Sequence, residues 1–266
     1  MVHRKNLRRR ERLGKYRIER RLSTGPRATV YQAFDTIHGT RVALKIPFPD
    51  LMDDEFLDEF RREARLSVRM EHPNVLPVQN ACFIGDLFVI AMPLGLETLG
   101  DRMSRRMSTA LALNYTKQAL AAVAHAHSRN IIHCDVKPEN FIIFPGERLR
   151  LSDFGFSKVA MRTIKASGSG TVGYLAPEQA LGRPMYQSDV FSLGLVIYKM
   201  FSGQLPEWPF KWPPPGQVRL RAKLRPKMIA WIRKSIEYRP HARYRNAVAM
   251  ERAFSEIHLK VKKRVS

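Results

Sequence analysis

His133-Cys134-Asp135-Val136-Lys137-Pro138-Glu139-Asn140 lies between two apolar runs, Ile131-Ile132 and Phe141-Ile142-Ile143. The pattern predicts a loop between two short buried strands. The loop carries a carboxylate, an ammonium two residues later and an amide five residues later. Phosphoryl transfer needs that set: a base facing a hydroxyl, a cation near the transferred phosphate, and an oxygen ligand for a metal ion. Further on, Asp153-Phe154-Gly155 offers a second carboxylate suited to a metal ion.

The chain has 266 residues, enough for one large domain or two lobes. A hydrophobic content of 44% argues for a folded globule rather than disorder. The longest apolar run, Val190 to Ile197, is too short for a membrane span, and no apolar stretch follows the basic N-terminus. Cys82 and Cys134 make no disulfide framework, so a reducing, cytoplasmic setting is expected. Lys and Arg number 46 against 24 Asp and Glu, a formal charge of +22. The surplus gathers at Arg4–Arg12, Arg219–Arg245 and Lys260–Arg264. Such a field attracts acidic peptides, nucleic acid or an anionic membrane surface, although basic surface also serves solubility alone.

Residues 1–13 lack an apolar period and read as a mobile arm or frayed helix, with structure beginning near Tyr16. Leu22-Ser23-Thr24-Gly25-Pro26-Arg27-Ala28-Thr29-Val30 reads as two strands flanking a turn, and Val42-Ala43-Leu44-Lys45 as a strand ending in a lysine. Residues 50–69 pattern as a helix containing Glu63, closed by His72-Pro73. Strands follow near 78–84 and 87–91, and helices near 99–103 and 109–128. His125 and His127 point to different faces and read as structural or exposed. Residues 157–170 read as a polar, flexible loop that ends in Gly170-Thr171-Val172-Gly173-Tyr174-Leu175-Ala176-Pro177-Glu178. A strongly apolar helix opens near Ser188-Asp189-Val190. A proline-rich stretch follows at 203–216, then helices near 228–236 and 247–257.

In this order and spacing the motifs resemble the protein-kinase family over residues 16–257. The resemblance implies an α+β, two-lobed protein-kinase-like fold with a small β-rich N-lobe (about 14–91), a hinge (92–95) and a larger helical C-lobe (96–257). A basic arm (1–13) and a basic tail (258–266) flank it. It implies ATP and magnesium as cofactors and a protein substrate. Asp135 would accept or orient the substrate's hydroxyl proton, Lys137 would stabilise the phosphoryl oxygens, and Asn140 and Asp153 would bind magnesium. Lys45, held by Glu63, would position the phosphates beneath the loop of Gly25. Leu22, Val30, Ala43 and Ile142 would sandwich the adenine, with Met92 C=O and Leu94 N–H bonding its edge. Glu178, Asp189 and Arg243 would be structural: Arg243 pairing with Glu178, and Asp189 bracing the catalytic loop. Lys137 and Thr171 resemble the serine/threonine class.

Three departures stand out. Ser23 and Ala28 replace two glycines of the phosphate loop, Cys134 replaces the Arg before the catalytic Asp, and Arg239 replaces an Asp near Arg243. The first two leave open the alternative of a pseudokinase acting as a nucleotide-binding scaffold. The basic surface raises a third reading, a small-molecule or nucleic-acid-directed kinase fold.

Overall fold

The computed structural model describes residues 7–48, 57–58, 61, 65, 70–154, 172–206 and 209–262, the last five by backbone. The chain forms two compact units, Met1–Glu71 with Val75–Leu96, and His72–Asn74 with Glu97–Ser266.

The first unit is a six-stranded antiparallel sheet: β1 (Arg12–Leu13), β2 (Tyr16–Thr24), β3 (Ala28–Asp35), β4 (Thr40–Pro47), β5 (Asn80–Ile84) and β6 (Leu87–Pro93), in the order β1-β2-β3-β4-β6-β5. Alternation on these strands buries Tyr16, Ile18, Tyr31, Ala33, Val42 and Leu44 in one core with Leu87, Val89 and Ala91. The predicted mobile arm is instead built in from Leu7 onward. Leu7 and Leu13 join that core, Leu7 N–H donates to Tyr31 Oη at 3.2 Å, and Arg12 pairs with Arg17. Two leucines six residues apart in a basic run show no period, yet each fills a place that the sheet leaves open.

The second unit contains a three-stranded sheet, β7 (Glu97–Thr98), β8 (Phe141–Phe144) and β9 (Arg148–Leu151), in the order β7-β8-β9. Its helices are α1 (Leu99–Met103), α2 (Thr109–Ser128), α3 (Pro177–Ala180), α4 (Tyr186–Ser202), α5 (Gln217–Lys223), α6 (Pro226–Ser235) and α7 (Ala247–Lys262). α1 and α2 keep their predicted limits because their caps are local. Thr98 and Asp101 form a capping box, and Ser108 accepts from Leu111 N–H at 3.1 Å. α7 runs past the expected 257 into the basic tail.

Two expectations need correction. Ile131-Ile132 is not a strand. After α2, Asn130 takes a left-handed conformation (φ 60°), Ile131 N–H bonds Ala126 C=O at 3.0 Å and Asn130 N–H bonds His127 C=O at 3.1 Å. This Schellman closure consumes the segment before any strand can start. Residues 72–74, placed by sequence in the first lobe, belong to the second unit. Asn74 donates to Gln118 Oε1 (2.9 Å) and Leu149 C=O (2.8 Å) and accepts from Leu151 N–H (2.8 Å). The predicted helix over 50–69 lies mostly outside the described residues.

α4 is almost wholly buried, and it packs against α2, α6 and α7. Gly194 is where it meets α6: a Cβ there would stand 2.7 Å from Ile236 Cγ2 and closer still to Ser235 Oγ. Gly194→Ala is therefore expected to destabilise the protein by about 1–3 kcal/mol through overpacking. Urea unfolding measures this, and an unchanged midpoint would contradict the close approach.

Candidate active site

The loop 133–140 has few backbone bonds of its own, so side chains from elsewhere hold it. Asp189, on the first turn of α4 and fully buried, accepts from His133 N–H (2.7 Å) and His127 Nε2 (2.9 Å) through Oδ2, and from Cys134 N–H (2.8 Å) through Oδ1. Three donors around one buried carboxylate replace the water it has lost. His127 accepts Ala247 N–H at Nδ1 (2.9 Å), so its proton sits on Nε2, the nitrogen that donates to Asp189. His133, also fully buried, works the same way. Nδ1 accepts Asp135 N–H (3.2 Å) and Nε2 donates to Ser152 C=O (2.8 Å), with the ring edge-on to Phe154.

Cys134 adopts φ 65°, a conformation that L-residues rarely hold. Both of its peptide groups are fixed: its N–H by Asp189 and its carbonyl by the Gln179 amide of α3. Its thiol is buried and directed at Ile132 C=O.

Asp135, Lys137 and Asn140 come together as predicted from their spacing. Lys137 Nζ lies 2.8 Å from Asp135 Oδ2, and Asn140 Nδ2 donates to the same oxygen (2.9 Å) and to Asp135 C=O (2.8 Å). The Asp135 side chain is 33% exposed, so a substrate can reach it. Pro138–Asn140 is a single 3-10 turn, which delivers the amide back to Asp135. Ser152 N–H and Oγ both bond Asn140 C=O (2.8 and 3.0 Å), and this ties Asp153 to the loop. Asp153 is at φ 64°, which aspartate tolerates better than most residues.

These groups suit magnesium. Both amide hydrogens of Asn140 are taken by Asp135, so its Oδ1 remains as a hard oxygen donor, with the Asp153 carboxylate held nearby. Magnesium takes one or two protein oxygens and completes its shell with water and phosphate. Among the described residues no group of three or more His, Cys, Asp or Glu converges on a metal position.

A second anchor is the Glu178–Arg243 pair. Arg243 Nη1 and Nη2 meet the two carboxylate oxygens at 2.7 and 3.1 Å. The remaining N–H groups donate to the carbonyls of Glu237, Gln187 and Tyr238, and the guanidinium stacks on Phe191. All five donors are thereby used. Burial pushes the guanidinium pKa down, and Glu178 pulls it back up. Ser188 Oγ also donates to Glu178 (2.7 Å).

In the first unit, Lys45 is buried on β4, level with Val30 of β3 and Ile90 of β6. Ala43 lies opposite Met92, near the end of β6, and Leu94 follows that strand. Leu22 is 36% exposed on β2. Gly25 N–H bonds Ala28 C=O (2.9 Å) and closes a tight hairpin. Ser23 and Ala28 sit in the flanking strands, and neither they nor Gly25 need a positive φ. The lost glycines therefore bring no backbone strain. Ile142 lies on β8 opposite Arg150 and Thr98. Glu63, Gly155 and Thr171 lie outside the described residues.

The model of the protein kinase domain matches residues 16–253. The chain belongs to the protein kinase family. Its relatives include the serine/threonine-protein kinases PrkC of Bacillus subtilis (35% identical; 73% of this chain, 31% of the relative) and PknA of Mycobacterium tuberculosis (35%; 73% and 48%). This chain thus spans about a third to a half of the curated relatives it matches. The PknI kinase domain of M. tuberculosis shares the fold at TM-score 0.72 and 24% identity, covering 94% of this chain and 99% of that one. Among the described residues no helix is long and apolar enough to cross a membrane.

Sequence reading passed over His133, His127 and Gln179 as parts of the site. Their partners lie 19, 120 and 45 residues away, and only the fold brings them near. Asp189→Asn would turn an NH₂ group towards backbone donors. The expected loss is on the order of 3 kcal/mol of stability, with phosphotransfer falling more steeply than the folded fraction. Equal stability by urea titration would mean that the loop holds itself.

Proposed function

We propose that this chain is a catalytic serine/threonine kinase domain that transfers the γ-phosphoryl group of ATP to a protein hydroxyl. The observation that carries this reading is the Asp135–Lys137–Asn140 cluster, tied through Ser152 to Asp153. Lys137 and Asn140 both bond Asp135 Oδ2, which leaves Oδ1 to take the substrate's proton. A bond forms from the hydroxyl oxygen to phosphorus, the bridge from the γ-phosphorus to the β-phosphate breaks, and the proton passes to Asp135. Lys137 offsets charge on the transferring oxygens. Asn140 and Asp153 would hold magnesium, which supplies charge neutralisation on the phosphates when bound.

Lys45, with Glu63, is assigned to the phosphates, the Gly25 hairpin to covering them, and Thr171 to substrate docking. Leu22, Val30, Ala43 and Ile142 are assigned to the adenine faces, and Met92 C=O and Leu94 N–H to its edge. Glu178, Asp189 and Arg243 hold the frame. The serine/threonine class rests on Lys137 and on relatives that bear that name. Two cysteines that form no disulfide accord with a cytoplasmic setting, and the charge of +22 with acidic substrates.

The pseudokinase reading draws on the lost glycines and Cys134. The unstrained hairpin weakens the first ground, and the complete set of ionic groups weighs against the second. Asp135→Asn is expected to lower phosphate incorporation from labelled ATP at least about a hundredfold, and Lys45→Met to act likewise while leaving the protein folded. No incorporation above background by the wild type would establish the pseudokinase, and incorporation at the wild-type rate in Asp135→Asn would mean that Asp135 is not the base.

Cys134 also bears on regulation. An Arg at this position would give a phosphorylated activation loop its main partner, and a thiol offers none. Basal activity is therefore expected to survive Thr163→Ala, Ser167→Ala and Ser169→Ala made together, staying within a few-fold of wild type on an external substrate. These three residues lie outside the described ones. A collapse that phosphorylation reverses in the unmutated loop would show that another cation, such as Lys158, Arg162 or Lys165, has taken the role.

A further inference from the structure

The catalytic reading leaves the arginine-rich start of the chain without a task. The structure gives that segment a fixed place. Arg10 N–H bonds Ile18 C=O (2.8 Å), Ile18 N–H bonds Glu11 C=O (2.9 Å), and Glu11 Oε2 accepts from Arg8 N–H (2.6 Å). The arm so held forms one wall of an open concavity of about 740 Å³ on the first unit. Among the described residues, Arg9, Arg10, Arg17, Arg20 and Arg41 line it, against one acid, Glu19. Five cations less one anion leave a formal balance of +4 around one hollow.

The single acid is already engaged. Glu19 accepts from Arg41 Nε (3.0 and 3.2 Å) and from Gln32 Nε2 (2.5 Å), and Gln32 Oε1 accepts from Arg20 Nε (2.9 Å). A continuous bonded row, Arg41–Glu19–Gln32–Arg20, thus fixes two guanidiniums from below. Both bond through Nε, which leaves their Nη nitrogens for a ligand. Arg17 is steadied by stacking on Phe34, 5.3 Å from the ring centre. Among the described residues the lining has no lysine and no aromatic ring.

From this we infer that the concavity is a docking site for a phosphorylated peptide segment. Arginine forks match phosphate oxygens two at a time, which a lysine does not. The volume falls within the roughly 300–1,000 Å³ of ordinary ligand pockets, a fit for a phosphorylated side chain and its neighbours. Single-stranded nucleic acid calls for aromatic stacking platforms, which the lining lacks. A lipid surface calls for a broad basic face to lie against, whereas these arginines converge on one hollow. The proposal rests on the kinase reading only for the origin of the ligand, since a phosphopeptide is what that reaction makes. The binding itself needs neither ATP nor turnover.

The test is fluorescence anisotropy without ATP, using a labelled peptide with two phosphoserines in a neutral context and its unphosphorylated twin. The groove variant is Arg17→Gln, Arg20→Gln and Arg41→Gln together, and Arg17→Gln alone serves if the triple variant melts early. The control is Arg219→Gln, Arg221→Gln and Arg225→Gln, which removes the same charge elsewhere. The groove variant is expected to weaken phosphopeptide binding at least tenfold and the control less than twofold. Asp135→Asn is expected to bind as wild type does, so a failed kinase assay and a failed docking assay are separate results. The inference is overturned by equal binding of the two peptides, by equal losses in groove and control variants, or by loss of binding in Asp135→Asn. It is also overturned if a poly-dT oligonucleotide or phosphatidylserine vesicles, rather than the phosphopeptide, lose binding in the groove variant.

Discussion

The loop 133–140 depends on one buried carboxylate. Asp189 has no cation for a partner. It is solvated by two peptide N–H groups and one imidazole, all within 2.9 Å. This differs from the Glu178–Arg243 pair, where full charges meet in a buried, bidentate contact. Placing an ion pair at the loop would set a mobile side chain against it. Placing a carboxylate there lets the backbone itself be gripped, and the backbone is what must be held in an unfavourable conformation. Cys134 and Asp153, at φ 65° and 64°, are such places, and each costs of order 1–3 kcal/mol. Asp189 and Gln179 seize both peptide groups of Cys134, so its conformation is set from outside the loop.

The same arrangement leaves the side chain at residue 134 out of the brace, which acts on its peptide groups. A bulky cation there would have to leave the packed surroundings that a thiol fills. The thiol instead stays buried and directed at Ile132 C=O, while Asp189 and Gln179 hold the backbone. The strain sits in the main chain, and the brace acts on the main chain.

Much of the fold was legible because its causes are local. Thr98 and Ser108 cap their own helices, and Gly85-Asp86 turns its own hairpin with Gly85 at φ 58°. The cluster of Asp135, Lys137 and Asn140 was legible from spacing because a single 3-10 turn closes it. What escaped was set by distant partners. Leu7 finds Tyr31, Asn74 finds Leu149, and Ile131 is drawn into a helix closure that the apolar pair Ile131-Ile132 does not announce. The hydrogen bonds of His127 and Gln179 fall in the same class, since no periodicity marks a polar side chain whose acceptor is folded in from elsewhere.

The reach of the His127 bonds has a consequence for biosynthesis. On a ribosome the chain emerges from its N-terminus, so His133, Cys134 and Asp135 are made long before Asp189, and Asp189 long before Ala247. His127 is fixed on one side by Asp189 and on the other by the first residue of the last helix, 120 positions downstream. His127 therefore cannot be held on both sides while that helix is still in the exit tunnel. A nascent chain would carry Asp135, Lys137 and Asn140 before the last of the bonds around His127 could form.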